Sequence, residues 1–328
     1  MTMAKSTATS EIHTTRKKPF APAPVIVLCL ALLSLGSGCR RETAPPEEIT
    51  MDHPDILNIL FHPRQEPRTP LPPLAADIDI EVAADAHIGC RLFTTGETAP
   101  NNAPTLLFYH GNGEIVTDYD EIGAVYTGQG FNFLVTDYRG YGWSTGTPAA
   151  TTLLTDANHL YSELTSRLRQ QGYTGPFFIM GRSLGSACAI DVAFNHENDE
   201  HLCGLILDSA FAETLPLART LGLDLESLGI TEEQTFNNLK KIEQFKKPLL
   251  LIHGQEDTLI PLWQAQKLHS YAGPKNKELQ IVPGAGHNTL IATAGMMYFE
   301  VIKRWIDKLT GAADWRNRRK KFKQQQQR

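Results

Sequence analysis

A serine, a histidine and an aspartate, each in a glycine-bearing turn, carry the chemistry that this sequence offers. Ser183 stands in Gly181-Arg182-Ser183-Leu184-Gly185, after the apolar run Phe177–Met180 and before a helix-forming stretch, Ser186 through Asn195. A serine on a tight strand-to-helix turn is held in strained backbone geometry with its hydroxyl pushed out over the sheet. The flanking glycines are needed where a side chain would strike the neighbouring strand and helix. The helix that follows points its N-terminal N–H groups at whatever the serine attacks. A serine hydroxyl is a poor nucleophile near neutral pH and needs a base in hydrogen-bond reach, itself oriented by a carboxylate. Among eleven histidines, His287 in Pro283-Gly284-Ala285-Gly286-His287-Asn288 is the candidate base, because it follows the last apolar strand directly. His253, at another strand end, reads as a packed or backbone-bonded histidine, and His110 as the start of a glycine loop with a different role. The candidate acid is Asp257, in the turn after the penultimate strand. Asp208, at the end of the strand before that, is the alternative, and Glu256 is expected to point away. An oxyanion needs two backbone donors. The N–H of Leu184 is one; Asn112, in His110-Gly111-Asn112-Gly113, is the other, its neighbouring glycines letting the backbone approach a substrate.

Those turns need a scaffold that brings strand ends together. Uninterrupted apolar runs recur at Thr105–Tyr109, Phe131–Val135, Phe177–Met180, Leu205–Leu207, Leu249–Ile252 and Leu279–Val282, each ending in a polar or glycine-bearing turn. Helical candidates lie at Ile115–Gln129, Ala150–Gln171, Ser186–Asn195 and Thr293–Leu309. In Ala150–Gln171 the apolar residues Leu153, Leu154, Ala157, Leu160, Tyr161, Leu164 and Leu168 follow helical spacing. Continuous apolar strands alternating with helices predict a parallel sheet covered on both faces, with reactive groups at the carboxyl ends of the strands. The polar-apolar alternation from Asp77 to about Thr95 predicts an antiparallel pair at a sheet edge.

With 328 residues, 41% hydrophobic and 20% charged, the chain has an ordinary globular composition, and its net charge of −5 argues against a nucleic-acid partner. The ends differ from the body. Arg16, Lys17 and Lys18 precede the apolar run Val25–Leu35, too short for a bilayer but suited to an export signal. Gly36, Ser37 and Gly38 then lead to Cys39, and residues 1–38 are similar to a bacterial lipoprotein signal peptide. That resemblance implies a lipidated Cys39 and an exported enzyme held on the periplasmic face of a membrane, with 39–76 as a proline- and charge-rich tether. Gly36 stands where that pattern has a leucine-like residue, so ordinary cleavage giving a soluble periplasmic or secreted protein stays open. Cys90, Cys188 and Cys203 leave room for one disulfide and one buried thiol. No cysteine-histidine spacing points to a metal, and no cofactor is implied. Residues 311–328 form a basic, glutamine-rich tail expected to be disordered.

Five motifs occur in order: His-Gly-x-Gly-Glu at 110–114, Asp-Tyr-Arg-Gly-Tyr-Gly-x-Ser at 137–144, Gly-x-Ser-x-Gly at 181–185, Gly-x-x-Asp-x-x-Ile-Pro at 254–261 and Gly-x-Gly-His-Asn at 284–288. Together they resemble the α/β-hydrolase superfamily, in the branch of monoacylglycerol-lipase-like and depalmitoylase-like serine hydrolases that is also grouped with serine aminopeptidases. The resemblance covers 77–310 and implies an α/β-hydrolase fold, a mostly parallel sheet with helices on both faces and a small cap at about 209–248. Some enzymes of that fold place the acid where Asp208 stands. The resemblance implies that Asp137–Ser144 mainly shapes a turn. The implied activity is cleavage of a carboxylic ester or thioester of a small-molecule acyl substrate through an acyl-enzyme on Ser183. A peptidase of the same fold and a non-catalytic binding lipoprotein are the alternatives. The cap leucines Leu215, Leu217, Leu221, Leu223, Leu225 and Leu228 are expected to floor an acyl pocket.

Overall fold

The computed structural model describes residues 49–96 and 101–312. The expected signal peptide, the lipidated Cys39 and the basic tail beyond residue 312 lie outside that range. The elements, in chain order, are α1 Pro54–Leu60, β1 Ala75–Ala83, β2 Ala86–Phe93, β3 Thr105–Tyr109, α2 Asp120–Gly128, β4 Asn132–Thr136, α3 Ala150–Gln170, β5 Phe177–Arg182, α4 Gly185–Asn195, β6 Leu202–Asp208, α5 Thr214–Thr220, α6 Asn238–Gln244, β7 Leu249–Gly254, α7 Leu262–Tyr271, β8 Lys277–Val282, α8 Leu290–Ala294 and α9 Met296–Leu309.

Among the described residues, eight strands form one sheet in the order β1-β2-β4-β3-β5-β6-β7-β8. β1 and β2 pair antiparallel at one edge, β2 meets β4 antiparallel, and every pairing from β4 through β8 is parallel. The apolar runs are continuous because both faces are covered. Leu107, Tyr109, Ile179, Leu205 and Leu251 pack on one side against α3 and α4 residues such as Leu160, Leu164, Ala189 and Ile190. Leu106, Phe108, Phe178, Met180 and Ile252 pack on the other against Tyr126 of α2 and Phe299, Ile302 and Trp305 of α9. Successive strand side chains alternate between the two layers, so the central strands β3, β5, β6 and β7 are apolar over most of their length. The chain departs to opposite sides after β3, since β4 and β5 flank it, which opens a crevice at the carboxyl ends of β3 and β5.

Two expectations about continuity fail. The helix read over Ile115–Gln129 is a 3-10 turn, Val116–Tyr119, followed by α2, and the one over Thr293–Leu309 is broken at Gly295, whose φ of +54° suits glycine, into α8 and α9. The stretch read as a tether also differs from that reading over its described part, residues 49–76. Pro54 opens α1, and Met51, Ile56, Leu60 and Phe61 are buried in the core. The chain beyond α1 is then fixed by charge. Arg91, fully buried on β2, pairs with Asp77 and Asp120 and donates to Thr69, while Arg68 pairs with Asp79. A guanidinium taken wholly out of water needs such carboxylates around it.

Candidate active site

The turn from β5 into α4 sets Ser183 in a left-handed backbone conformation, φ +52°, a costly state for a non-glycine residue. Its amide donates to the Asp208 carbonyl at 3.0 Å, and its carbonyl accepts from the Ser186 amide and hydroxyl. The flanking glycines are sterically required. A Cβ on Gly181 would collide with the Gly185 carbonyl, and one on Gly185 with the Tyr109 carbonyl of β3. The turn is therefore wedged between its own helix and the neighbouring strand, with Ser183 only 8% exposed.

Asp257 and His287 arrive on adjoining turns. β7 and β8 pair in parallel, and beyond them Gln255 N donates to Val282 O and Glu256 N to Ala285 O, which stitches the Asp257 turn to the His287 loop. His287 Nε2 lies 2.9 Å from Ser183 Oγ, and its Nδ1 lies 2.8 Å from Asp257 Oδ2. The other Asp257 oxygen accepts from the amides of Leu259 and Ile260 at 3.0 and 2.8 Å. A carboxylate only accepts, so the proton of neutral His287 sits on Nδ1 and leaves Nε2 free to take one from Ser183. Asp208, the alternative acid, is engaged elsewhere: Ser209 Oγ donates to Oδ1 at 2.8 Å and the Tyr298 hydroxyl to Oδ2 at 2.6 Å.

His253 is buried directly beneath Asp257. Its Nε2 donates to the Ile260 carbonyl at 2.7 Å and stands 3.5 Å from Asp257 Oδ2. Burial pulls its pKa below the ordinary histidine value, against the opposing pull of that carbonyl and of Asp257. Burial thus disfavours a second imidazolium beside Asp257. His110 fills its expected separate role: it is buried between the Gly111 carbonyl, 2.8 Å from Nδ1, and Asp137 Oδ1, 3.1 Å from Nε2. Burial raises the Asp137 pKa, and the carboxylate also holds the Val116 amide, so this pair braces the loop after β3.

Leu184 and Asn112 both line the cavity that opens on Ser183. Among the described residues neither backbone N–H has a partner within the chain. The Asn112 side chain has an additional engagement: Oδ1 accepts from His62 N at 2.9 Å and the Tyr141 hydroxyl at 2.7 Å, and Nδ2 donates to Leu60 O at 3.0 Å. Of the six cap leucines, Leu217, Leu221, Leu223 and Leu225 line the cavity, whereas Leu215 only packs against the core and Leu228 is exposed. The cap is fastened by Glu232, whose carboxylate accepts the Thr214 and Leu215 amides at the start of α5, and by Gln264, which accepts the Ala212 and Glu213 amides. Cys90, Cys188 and Cys203 are all free thiols, so no disulfide joins any two of them.

Three residues inside the quoted motifs act here without having been singled out. Arg182 pairs with Glu114, donates to the His287 carbonyl at 3.0 Å and reaches Asn288 Oδ1 at 3.2 Å. Glu114 in turn accepts the Gly111 amide at 2.7 Å and the Tyr119 hydroxyl. Burial pushes the Glu114 pKa up, but the Arg182 charge and these donors together outweigh it and hold the carboxylate below its usual range. One ion pair therefore ties together the serine turn, the glycine loop and the histidine loop.

This fold and site define an α/β hydrolase: a mostly parallel sheet with a serine on a strained strand-to-helix turn facing a histidine. The sequence model described as serine aminopeptidase, S33, matches residues 100–227 and 231–293, more than half of the chain, and the chain belongs to that family. It is 28% identical over 237 residues to the Escherichia coli protein YfhR, spanning 70% of this chain and 80% of that protein. It is 30% identical over 234 residues to mouse alpha/beta hydrolase domain-containing protein 17C, spanning 68% of this chain and 65% of that protein. Among solved structures, Pyrococcus furiosus esterase Pf2001 superposes with a TM-score of 0.57 at 18% identity, covering 72% of this chain and 91% of its own. A soluble variant of Saccharomyces cerevisiae monoglyceride lipase gives 0.56 at 19% identity, covering 74% and 96%. Both share the α/β-hydrolase fold.

Proposed function

We propose that this hydrolase cleaves carboxylic esters or thioesters through an acyl-enzyme on Ser183. The observation that carries the reading is the continuous relay from Ser183 Oγ through His287 to Asp257, opening onto an apolar cavity. Ser183 Oγ attacks the acyl carbon while its proton passes to His287 Nε2. Asp257 steadies the resulting imidazolium, and the N–H groups of Leu184 and Asn112 receive the oxyanion. Collapse expels the alcohol or thiol, which takes the proton from Nε2. A water then gives a proton to Nε2 and attacks the acyl carbon; the carboxylic acid leaves and Ser183 regains its proton.

The family description favours a second reading, an aminopeptidase. An aminopeptidase must hold a substrate ammonium, which calls for a carboxylate near the nucleophile. Among the described residues the cavity beside Ser183 is lined by no Asp or Glu. The neutral, leucine-rich lining favours an acyl chain. Turnover of p-nitrophenyl esters against aminoacyl anilides separates the two readings, with preference for the anilides overturning the esterase. Labelling by a fluorophosphonate probe is expected in wild type and lost in Ser183→Ala; labelling that survives removes Ser183 as nucleophile. The enzyme is proposed to be exported and anchored through a lipidated Cys39. Palmitate incorporation that persists in Cys39→Ala contradicts that anchor.

A further inference from the structure

The cavity beside Ser183 is closed by a wall that belongs neither to the cap nor to the loops of the sheet. Cap residues, among them Leu217, Leu221 and Leu225, line it. Met51, Ile56 and Leu60, from α1 and the residues before it, ahead of the first strand, line it as well. Ile56 is fully buried there. The segment is tied down at both ends. Asp52 accepts the Thr151 amide at 3.1 Å and also its hydroxyl, at the start of α3. At the other end the Asn112 side chain holds the Leu60 carbonyl and the His62 amide. The wall is thus fixed to Asn112, which lines the same cavity.

We infer that α1 is the specificity-determining wall of the acyl site, with Ile56 and Leu60 as its chain-length stop. The inference rests on the acyl-enzyme reading of Ser183. The cavity measures about 70 Å³. That is about half of the roughly 150 Å³ dry cavity that takes up a benzene ring, which favours a short acyl chain over a long one. A longer chain has to displace α1 or the cap. The wall is apolar and uncharged, so it discriminates by shape and not by charge.

The test compares kcat/KM for p-nitrophenyl butyrate and p-nitrophenyl octanoate in the full chain. Wild type is expected to favour butyrate. Ile56→Ala is expected to raise the octanoate-to-butyrate ratio by about tenfold or more, the discrimination that a single misfitting methylene produces in an apolar pocket. Leu57→Ala is the control: Leu57 packs on the core from the same helix without lining the cavity, so it loosens α1 but leaves the stop in place. Should Ile56→Ala fail to fold, Ile56→Val and Met51→Ala carry the comparison, with smaller shifts in the same direction. A ratio unchanged in every folded wall variant, or shifted equally by Leu57→Ala, overturns the inference while fluorophosphonate labelling of Ser183 persists. A wild type that takes up no probe and turns over neither ester refutes the acyl-enzyme reading itself, and the wall inference with it.

Discussion

Replacing Arg182 by methionine keeps most of the side chain's hydrocarbon bulk and removes the charge that joins the three loops of the candidate site. The Arg182 side chain is 12% exposed and that of its partner Glu114 is 24% exposed. Removing one member of a buried pair strands the other, at a cost of about 3–5 kcal/mol. Glu114 keeps the Gly111 amide and the Tyr119 hydroxyl, so the lower end of that range, about 3 kcal/mol, applies. For a domain of this size each kcal/mol lowers Tm by about 2–4 °C, which gives a fall of about 6–12 °C. A purely structural pair does no more than that. Arg182, however, also donates to the backbone of His287, and a base misplaced by about 1 Å loses about 10²-fold in rate. The expected result is a fall in kcat on p-nitrophenyl butyrate of that order with KM little changed, measured well below Tm. Arg182→Met combined with Glu114→Gln relieves the stranded charge and is expected to recover stability but not kcat. If kcat is unchanged in Arg182→Met, or the double variant recovers kcat as fully as Tm, Arg182 does not position His287.

Asp257→Asn is expected to lower kcat by about 10⁴-fold, because the amide favours the wrong imidazole tautomer. Asp208→Asn keeps most of the activity, since Asp208 is bound to Ser209 and Tyr298; a reversed pattern in the pH 7 rate assay transfers the role of acid to Asp208. His253 has a depressed pKa in the folded state, so its contribution to stability is present above the unfolded value of about 6.5 and is lost as pH falls. Between the unfolded and folded pKa values its share of the slope is up to about 1.4 kcal/mol per pH unit. Denaturant midpoints from pH 7.5 down to 5.5 are expected to fall more steeply in wild type than in His253→Gln. Glu114, also depressed, adds a loss that begins only as pH drops through its ordinary value of about 4.3. Under limited iodoacetamide, peptide mapping is expected to find Cys203 alkylated ahead of Cys90 and Cys188: burial raises all three thiol pKa values, but only Cys203 is partly exposed.

What could be read from the sequence, and what could not, follows from how far each feature depends on its neighbours. The parallel strands were legible because a strand covered on both faces must be apolar at consecutive positions, as Thr105–Tyr109 and Leu249–Ile252 are. Ser183 was legible because its turn has no room for a Cβ at 181 or 185, a constraint that writes two glycines into the chain. The Arg182–Glu114 pair left no such mark. Its partners are 68 positions apart, and a charged residue at a motif's variable position reads equally well as surface. The α1 wall was hidden for another reason. Its apolar residues Ile56, Leu57, Leu60 and Phe61 have helical spacing after Pro54, but they lie between prolines and charges that give the whole stretch the composition of a linker. Composition averages over a window, whereas burial is decided residue by residue. Three of these apolar side chains on the seven helical residues, and Phe61 just beyond them, find a partner surface only once the cap and the loop after β3 exist. That order of dependence explains why the turns of the candidate site can be found from local pattern alone, while the surface proposed to select their substrate emerges only when the chain is assembled.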